Sequence, residues 1–241
     1  MPTSKIINGV DLKLPILIDP PIYSKIGEEP NKMIVACVWW GTKYGRNYVE
    51  NLRNSLKRNL SIPYEMVCIT DRDDLPDGIR KIPALKNGDG WWQKVNLFKP
   101  GMFPSDTRIL FLDLDVVITS SLDPISRSQG EFVMIENFSM NRRASAYNSS
   151  CMLWTPNEKT ERIYTCYNSE VVEALHGDQC WIWRVMEKDI LAFRKDLLES
   201  YKYNRARPEM RRASNDTAVW VFHGKPDPHE VNTPFVKNNW R

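Results

Sequence analysis

The segment from Met33 to Thr70 constrains the fold more than any other stretch of the 241-residue chain. Met33–Val38 is an unbroken apolar run, which suits a strand covered on both faces. A loop bounded by Gly41 and Gly45 follows. Tyr48, Leu52, Leu56 and Leu60 then recur at four-residue spacing, which places them on one face of a helix. Pro63 ends that helix, and Glu65–Thr70 reads as a second strand. Strand, helix and strand in this order form a parallel crossover unit and make the domain α/β.

The rest of the pattern extends that unit. A glycine loop at Gly88 and Gly90 leads to a short helix over about Trp91–Phe98, then to a strong strand at Arg108–Leu112. Shorter strands are expected at Phe132–Glu136 and Cys151–Trp154. Pro156 opens a helical stretch ending near Leu175, Asp178 begins another helix, and Ala218–Phe222 is a last strand. Residues 1–30 hold five prolines and no sustained period, so they read as an N-terminal arm on a domain spanning 31–241. Within the arm, Leu14–Ile18 is a short apolar stretch suited to an edge strand or to docking a neighbouring subunit.

Composition removes several classes of function. No run approaches the roughly 18 apolar residues of a membrane span. The N-terminus shows no basic segment followed by an apolar one, as a secretory signal would. A net charge of +3 gives no reason to expect nucleic acid as a partner. The five cysteines, Cys37, Cys68, Cys151, Cys166 and Cys180, form no Cys-x-x-Cys pair. Most of them are expected as small buried hydrophobes, in a reducing cytoplasm. On that reading the Asn-x-Ser/Thr triplets at Asn59, Asn137, Asn148 and Asn215 are chance matches.

Chemistry concentrates at residues 108–118, where an apolar strand delivers Asp113 and Asp115, two positions apart and expected to point the same way. Two such carboxylates repel, and burying them uncompensated costs several kcal/mol or raises a pKa. A divalent cation resolves that conflict. Hard oxygen ligands suit Mg²⁺ or Mn²⁺, which complete their shell with substrate phosphates. Two enzyme classes place such a pair at a strand end. In phosphatases of the haloacid-dehalogenase type the first aspartate is a nucleophile, and residues 109–117 match that local pattern. In glycosyltransferases with a nucleotide-sugar donor the pair holds a metal on the diphosphate. The phosphatase strand normally opens its domain, whereas here two strands and two helices come first. A non-catalytic sugar-nucleotide or carbohydrate-binding module is a third possibility from a different class.

In chain order, from about Met33 to Pro228, the sequence resembles the GT-A-fold retaining glycosyltransferases of the glycogenin and bacterial lipopolysaccharide hexosyltransferase type. The resemblance implies a Rossmann-like nucleotide-diphospho-sugar transferase domain with a mixed, mostly parallel central sheet. It places Val38, Trp39, Trp40 and Tyr44 around a uridine base, and Lys94 facing the donor. Asp113-Leu114-Asp115 matches the metal motif, and Leu122-Asp123 follows as in the family. Tyr147-Asn148-Ser149-Ser150-Cys151-Met152-Leu153 is similar to the segment lining the sugar pocket, so Asn148, Ser149 and Ser150 would meet the sugar. Gly177-Asp178-Gln179 is similar to the Asp-Gln pair beside the transferred sugar, which makes Asp178 and Gln179 the catalytic candidates. His223-Gly224-Lys225-Pro226 resembles the C-terminal motif whose histidine is the third metal ligand and whose lysine meets the diphosphate. The family usually spaces that motif His-x-x-Gly-x-x-Lys-Pro; here the residues are adjacent, which puts the reach of Lys225 in question.

The resemblance implies a UDP-hexose donor, Mn²⁺ or Mg²⁺, and transfer with retention to an acceptor that is a glycan, a lipid-linked sugar, a protein or a small molecule. Asp178 also has a plain reading, as the N-cap of the helix it begins. Of the nine tryptophans, Trp181, Trp183 and Trp220 are expected in the core, and Trp91 and Trp92 at the cleft. Lys202, Arg205, Arg207, Arg211 and Arg212 form a basic stretch suited either to a solvated loop or to a flap closing over donor phosphates.

Overall fold

The computed structural model describes residues 5–12, 20–84, 90–139, 145–204 and 217–241. The predicted crossover unit is present as β3 (Met33–Trp39), α1 (Arg46–Asn59) and β4 (Glu65–Thr70), preceded by a small hairpin of β1 (Ile6–Ile7) and β2 (Val10–Asp11). The chain continues through β5 (Arg80–Pro83), a 3₁₀ helix (Gly90–Phe98), β6 (Arg108–Leu112) and β7 (Val116–Ile118). After the single turn α2 (Asp123–Ser126) come β8 (Phe132–Glu136) and β9 (Tyr147–Trp154). The stretch expected as one helix after Pro156 is two, α3 (Glu158–Thr165) and α4 (Ser169–Ala174), each capped by an asparagine side chain, Asn157 and Asn168. Then follow α5 (Asp178–Met186), β10 (Ile190–Ala192), β11 (Leu198–Ser200), α6 (Tyr201–Asn204), β12 (Val219–Val221) and α7 (Pro234–Asn239).

Seven strands form the central sheet in the order β10-β8-β9-β6-β3-β4-β5. All neighbours are parallel except β9, which runs antiparallel to both β6 and β8. Alternation along the central strands feeds two cores. Ile34, Ala36, Ile109 and Phe111 pack on the side of the 3₁₀ helix, α3 and α5. Val35, Cys37, Trp39, Leu110 and Leu112 pack with Tyr48, Val49, Leu52 and Leu56 of α1. Both faces of β3 and β6 are therefore apolar, which is why these strands read as continuous hydrophobic runs. The fold is α/β with a mixed, mostly parallel sheet.

A second, three-stranded sheet, β11-β12-β7, stands beside the first. β12 is antiparallel to β7 with Val221 opposite Val116, and Phe222 N–H donates to the Asp115 carbonyl at 3.1 Å. That register carries His223 toward the turn between β6 and β7.

The arm lies on the domain and does two things there. Ile7 and Val10 enter the core. Residues 22–27 run along β10 and the start of the β8 region, with Ser24 N–H donating to the Ala192 carbonyl and Ala192 N–H to that of Ile22, both at 2.7 Å. The otherwise open edge of β10 is thereby covered. Leu14–Ile18 and the stretch from Arg205 to Arg212 lie outside the described residues. Among the described residues no helix is long and apolar enough to cross a membrane.

Candidate active site

Because side chains alternate along a strand, Asp113, just past β6, follows Phe111 toward the face that carries the 3₁₀ helix and α5. Lys94 comes from that helix and meets Asp113 there. Its ammonium lies 3.0 Å from Oδ1 and 3.1 Å from Oδ2 of Asp113, and 3.4 Å from Oδ2 of Asp178 in the first turn of α5. Ser149 completes the group: its hydroxyl donates to Asp178 Oδ2 at 2.6 Å and accepts from Lys94 at 3.2 Å. Lys94, Asp178 and Ser149 are all buried. Burial works against the Lys94 charge, but Asp113 and Asp178 outweigh it and hold its pKa above the ordinary lysine value.

Ser149 reaches this position through an irregularity that the sequence reading missed. β9 begins at Tyr147, not Cys151. Met134 of β8 pairs with Met152, but the next residue, Ile135, pairs with Asn148. Residues 149–151 are thus looped out relative to β8 while still following β6, where Cys151 pairs with Leu112 and Asp113 N–H donates to the Ser150 carbonyl at 2.9 Å. Bulges of this kind re-aim side chains beside functional sites. Asn148 stands next to Gln179, with Nδ2 donating to Oε1 at 3.5 Å, and its own Oδ1 accepts from Ser150 N–H at 2.9 Å.

Asp113 and Asp115 are not on one continuous strand, as expected, but on a turn joining strands of two different sheets. Leu114 pins that turn: its side chain is buried in the α1-side core, so it offers a ligand only backbone. Asp115 accepts from the Tyr44 hydroxyl at 2.9 Å. Burial, with Asp113 nearby, pushes the Asp115 carboxyl up to about 7, and burial together with Asp115 raises the Tyr44 phenol.

The predicted base-binding segment divides. Val38, Trp40 and Tyr44 are half-buried at the C-terminal end of β3, beside that of its parallel neighbour β6. Strand ends of this kind form the ligand-binding crevice of α/β sheets. Trp39 is different. Alternation turns it inward, where it is fully buried, donates from Nε1 to the Tyr44 carbonyl at 2.8 Å and lies under the Arg72 guanidinium. It supports the segment from below and does not present a face to a base.

The C-terminal motif also divides. His223 is brought to the β6–β7 turn, but its Nε2 faces the Ser200 hydroxyl at 2.7 Å and its ring stacks on Phe138. Burial, then Lys202, lowers its pKa and favours the neutral imidazole that a metal ligand requires. Lys225 points elsewhere, to Asp227 Oδ2 at 2.8 Å and Glu230 Oε1 at 2.9 Å. The contracted spacing explains this, since Asp227–Glu230 forms a capping box around a short helical turn that attracts the preceding lysine. Lys202 Nζ lies 3.9 Å from where a Cβ on Gly224 would stand. Lys202, expected in a solvated loop or in a flap over donor phosphates, stands on α6, which packs beside β12.

The donor set of Asp113, Asp115 and His223, two carboxylates and an imidazole, suits a hard divalent cation. Among the described residues no three acidic, histidine or cysteine side chains converge as they stand. Lys94, Tyr44 and Ser200 hold the three candidates instead. The N-cap of α5 is Gly177, so the plain reading of Asp178 as that cap does not apply; its carboxylate serves Ser149 and Lys94. Trp181, Trp183 and Trp220 are core residues as expected; Trp92, expected at the cleft, is instead buried and packs on Tyr167. Only Trp91 of the cleft pair is exposed.

Sequence comparison finds no matching family model and no matching curated protein. Structure comparison finds clear likenesses. An active-site mutant of LgtC superposes with a TM-score of 0.60 at 11% identity over 86% of this chain and 93% of that one. The galactosyltransferase LgtC with donor and acceptor sugar analogues gives 0.56 at 14% identity, covering 81% and 89%. The glycosyltransferase GlyE of Streptococcus pneumoniae TIGR4 gives 0.58 at 14% identity over 82% of this chain and 56% of its own. The bifunctional glycosyltransferase WbbM gives 0.57 at 10% identity, covering 92% and 52%. The chain therefore has the GT-A fold that these glycosyltransferases share.

Proposed function

We propose that this chain is a metal-dependent glycosyltransferase that moves a hexose from a nucleotide sugar, UDP-linked, to an acceptor. The observation that carries this reading is the buried Lys94, Asp178 and Ser149 meeting the half-buried Asp113 at the C-terminal end of β6, with Asp115 and Tyr44 beside them. A core lysine held between carboxylates from two distant elements has no need to exist in a purely structural α/β sheet, where apolar packing would serve as well. The likeness to glycosyltransferase structures supports the same conclusion and gives a phosphatase acting through Asp113 no footing.

In this reading Tyr44, Val38 and Trp40 meet the base, and Asp113, Asp115 and His223 are the residues that would hold Mn²⁺ or Mg²⁺. When bound, a metal there would supply charge stabilisation at a departing diphosphate. Lys202, which acts on His223 and stands by Gly224, takes the role expected of Lys225. Asn148, Ser149, Ser150 and Gln179 surround the sugar, and Asp178, oriented by Ser149 and Lys94, faces the anomeric carbon as positive charge develops there. Retention at that carbon follows from the family resemblance. Five cysteines without a disulfide support a reducing, cytoplasmic setting.

The test is release of UDP from a panel of UDP-hexoses with Mn²⁺ or with EDTA, for wild type and Asp178→Asn. Asparagine keeps the size and still accepts from Ser149, so donor binding should persist while turnover falls about 10²–10³-fold, the pattern of an interaction made in the transition state. Metal-independent turnover, or a normal rate in Asp178→Asn, would refute the assignment.

A further inference from the structure

Trp91 is an aromatic side chain at the rim of the charge group that neither the core nor that group uses. It is 56% exposed, whereas its neighbour Trp92 is 6% exposed. Leaving an indole in water forgoes one of the largest apolar burials available to a side chain. Its position is dictated by the helix that carries it. A 3₁₀ helix has three residues per turn, so side chains at i and i+3 eclipse one another. Trp91 therefore lies one turn above Lys94 on the same side of the helix Gly90–Phe98. Its indole Nε1 is 3.5 Å from where a Cβ on Gly177 would stand, and Gly177 immediately precedes Asp178.

These contacts set out a line across the site. Tyr44 bonds Asp115; Asp113 follows on the same turn; Lys94 links Asp113 to Asp178; and Trp91 leans over Gly177 at the far end. If the nucleotide lies toward Tyr44 and the diphosphate at Asp113 and Asp115, the transferred sugar reaches Asp178, and Trp91 stands beyond it. Only the second substrate remains to be bound there. A pyranose has one face made of C–H groups, and the negative face of an indole complements it.

We propose that Trp91 is the stacking platform for the acceptor, and that the acceptor presents a pyranose ring to it. This rests on the glycosyltransferase reading and adds to it the chemical class of the acceptor, a sugar-terminated molecule. Replacement of Trp91 weakens the acceptor sugar's hold while leaving the nucleotide end of the line in place.

The experiment uses the full chain, its working UDP-hexose and Mn²⁺, with methyl glycosides of glucose, galactose and N-acetylglucosamine and the corresponding disaccharides as acceptors. The ratio of transfer to hydrolysis should fall roughly three- to tenfold or more in Trp91→Ala, by a rise in acceptor KM, and recover in Trp91→Phe. Saturation-transfer NMR on Asp178→Asn with UDP and Mn²⁺ should show the glycoside's ring C–H protons against protein, and lose that signal with Trp91→Ala added. An unchanged partition ratio and unchanged NMR transfer in Trp91→Ala would overturn the platform while leaving the glycosyltransferase reading intact. UDP affinity falling together with transfer would overturn it too, by moving Trp91 to the donor. A wild type that turns over no sugar nucleotide would instead sink the underlying reading, and the platform with it.

Discussion

Replacing Lys94 by methionine keeps most of the side chain's length and removes the charge that two carboxylates share. At 3.0 and 3.4 Å, and with an effective dielectric constant near 20, each contact is a gross attraction of about 5 kcal/mol. Most of that is offset in the native protein by the desolvation of three charged groups. The variant loses the attraction and keeps the desolvated carboxylates, so the expected loss of stability is about 3–5 kcal/mol, typical of a buried pair broken from one side. With a urea m-value of about 3 kcal/mol/M, the unfolding midpoint should fall by roughly 1–1.7 M at pH 7.5. Adding Asp178→Asn should restore part of the loss, since the amide leaves no unpaired charge and still accepts from Ser149. The coupling between the two substitutions is then the quantity that reports their contact. A Lys94→Met midpoint within about 0.3 M of wild type, or a double variant less stable than the sum of its parts, would refute the claim that this group is tightly packed and charged.

Asp115→Asn keeps an acceptor for Tyr44 and removes the charge facing Asp113, so thermal denaturation without metal should show a Tm equal to or a few degrees above wild type, while calorimetry should show UDP affinity no longer strengthened by Mn²⁺. Calorimetry should also separate the two C-terminal lysines: Lys202→Ala lowers UDP–Mn²⁺ affinity about three- to tenfold, whereas Lys225→Ala, whose ammonium serves Asp227 and Glu230, changes it less than twofold. A hydrogen bond with Cys68, then burial, pushes the Cys37 thiol above the ordinary range, burial does the same for Cys151 and Cys180, and Cys68 is also buried, so a native titration with an aromatic disulfide reagent at pH 8 should find Cys166 reacting first and the other four only on unfolding.

How legible the molecule was in its sequence depended on the range of the interaction. β4, β6 and β8 have the bounds that periodicity and propensity assign, because their apolar runs are complete within five or six residues. The small N-terminal hairpin was overlooked although Asn8-Gly9 is a strong turn signal, and both residues do take positive φ, 48° and 78°. Its strands are two residues each, too short for alternation to be seen. β10 and β11 were missed for the same reason: three-residue strands are fixed by their partners, not by their own pattern. Trp39 read as a cleft residue because an aromatic doublet carries no sign of which member turns inward; the pleat decides it.

The site itself was legible as residue types and not as a constellation. Asp113, Lys94 and Asp178 lie far apart in sequence, and nothing local says that one ammonium serves both carboxylates. That follows from two facts about position. Alternation along β6 sends Asp113 to the face of the 3₁₀ helix, and α5 packs on that helix with Asp178 in its first turn. The bulge in β9 then supplies Ser149. Together these steps place an ammonium at one side of Asp113, while Asp115 takes the Tyr44 hydroxyl, to which the Lys43 ammonium also donates. The Asp178 end is thus held by a direct ion pair, and the Asp115 end by a phenol with a lysine behind it. On the proposed function, a diphosphate and its metal would lie by Asp115 and Tyr44, and the Asp178 end, beside Trp91, would take a neutral sugar.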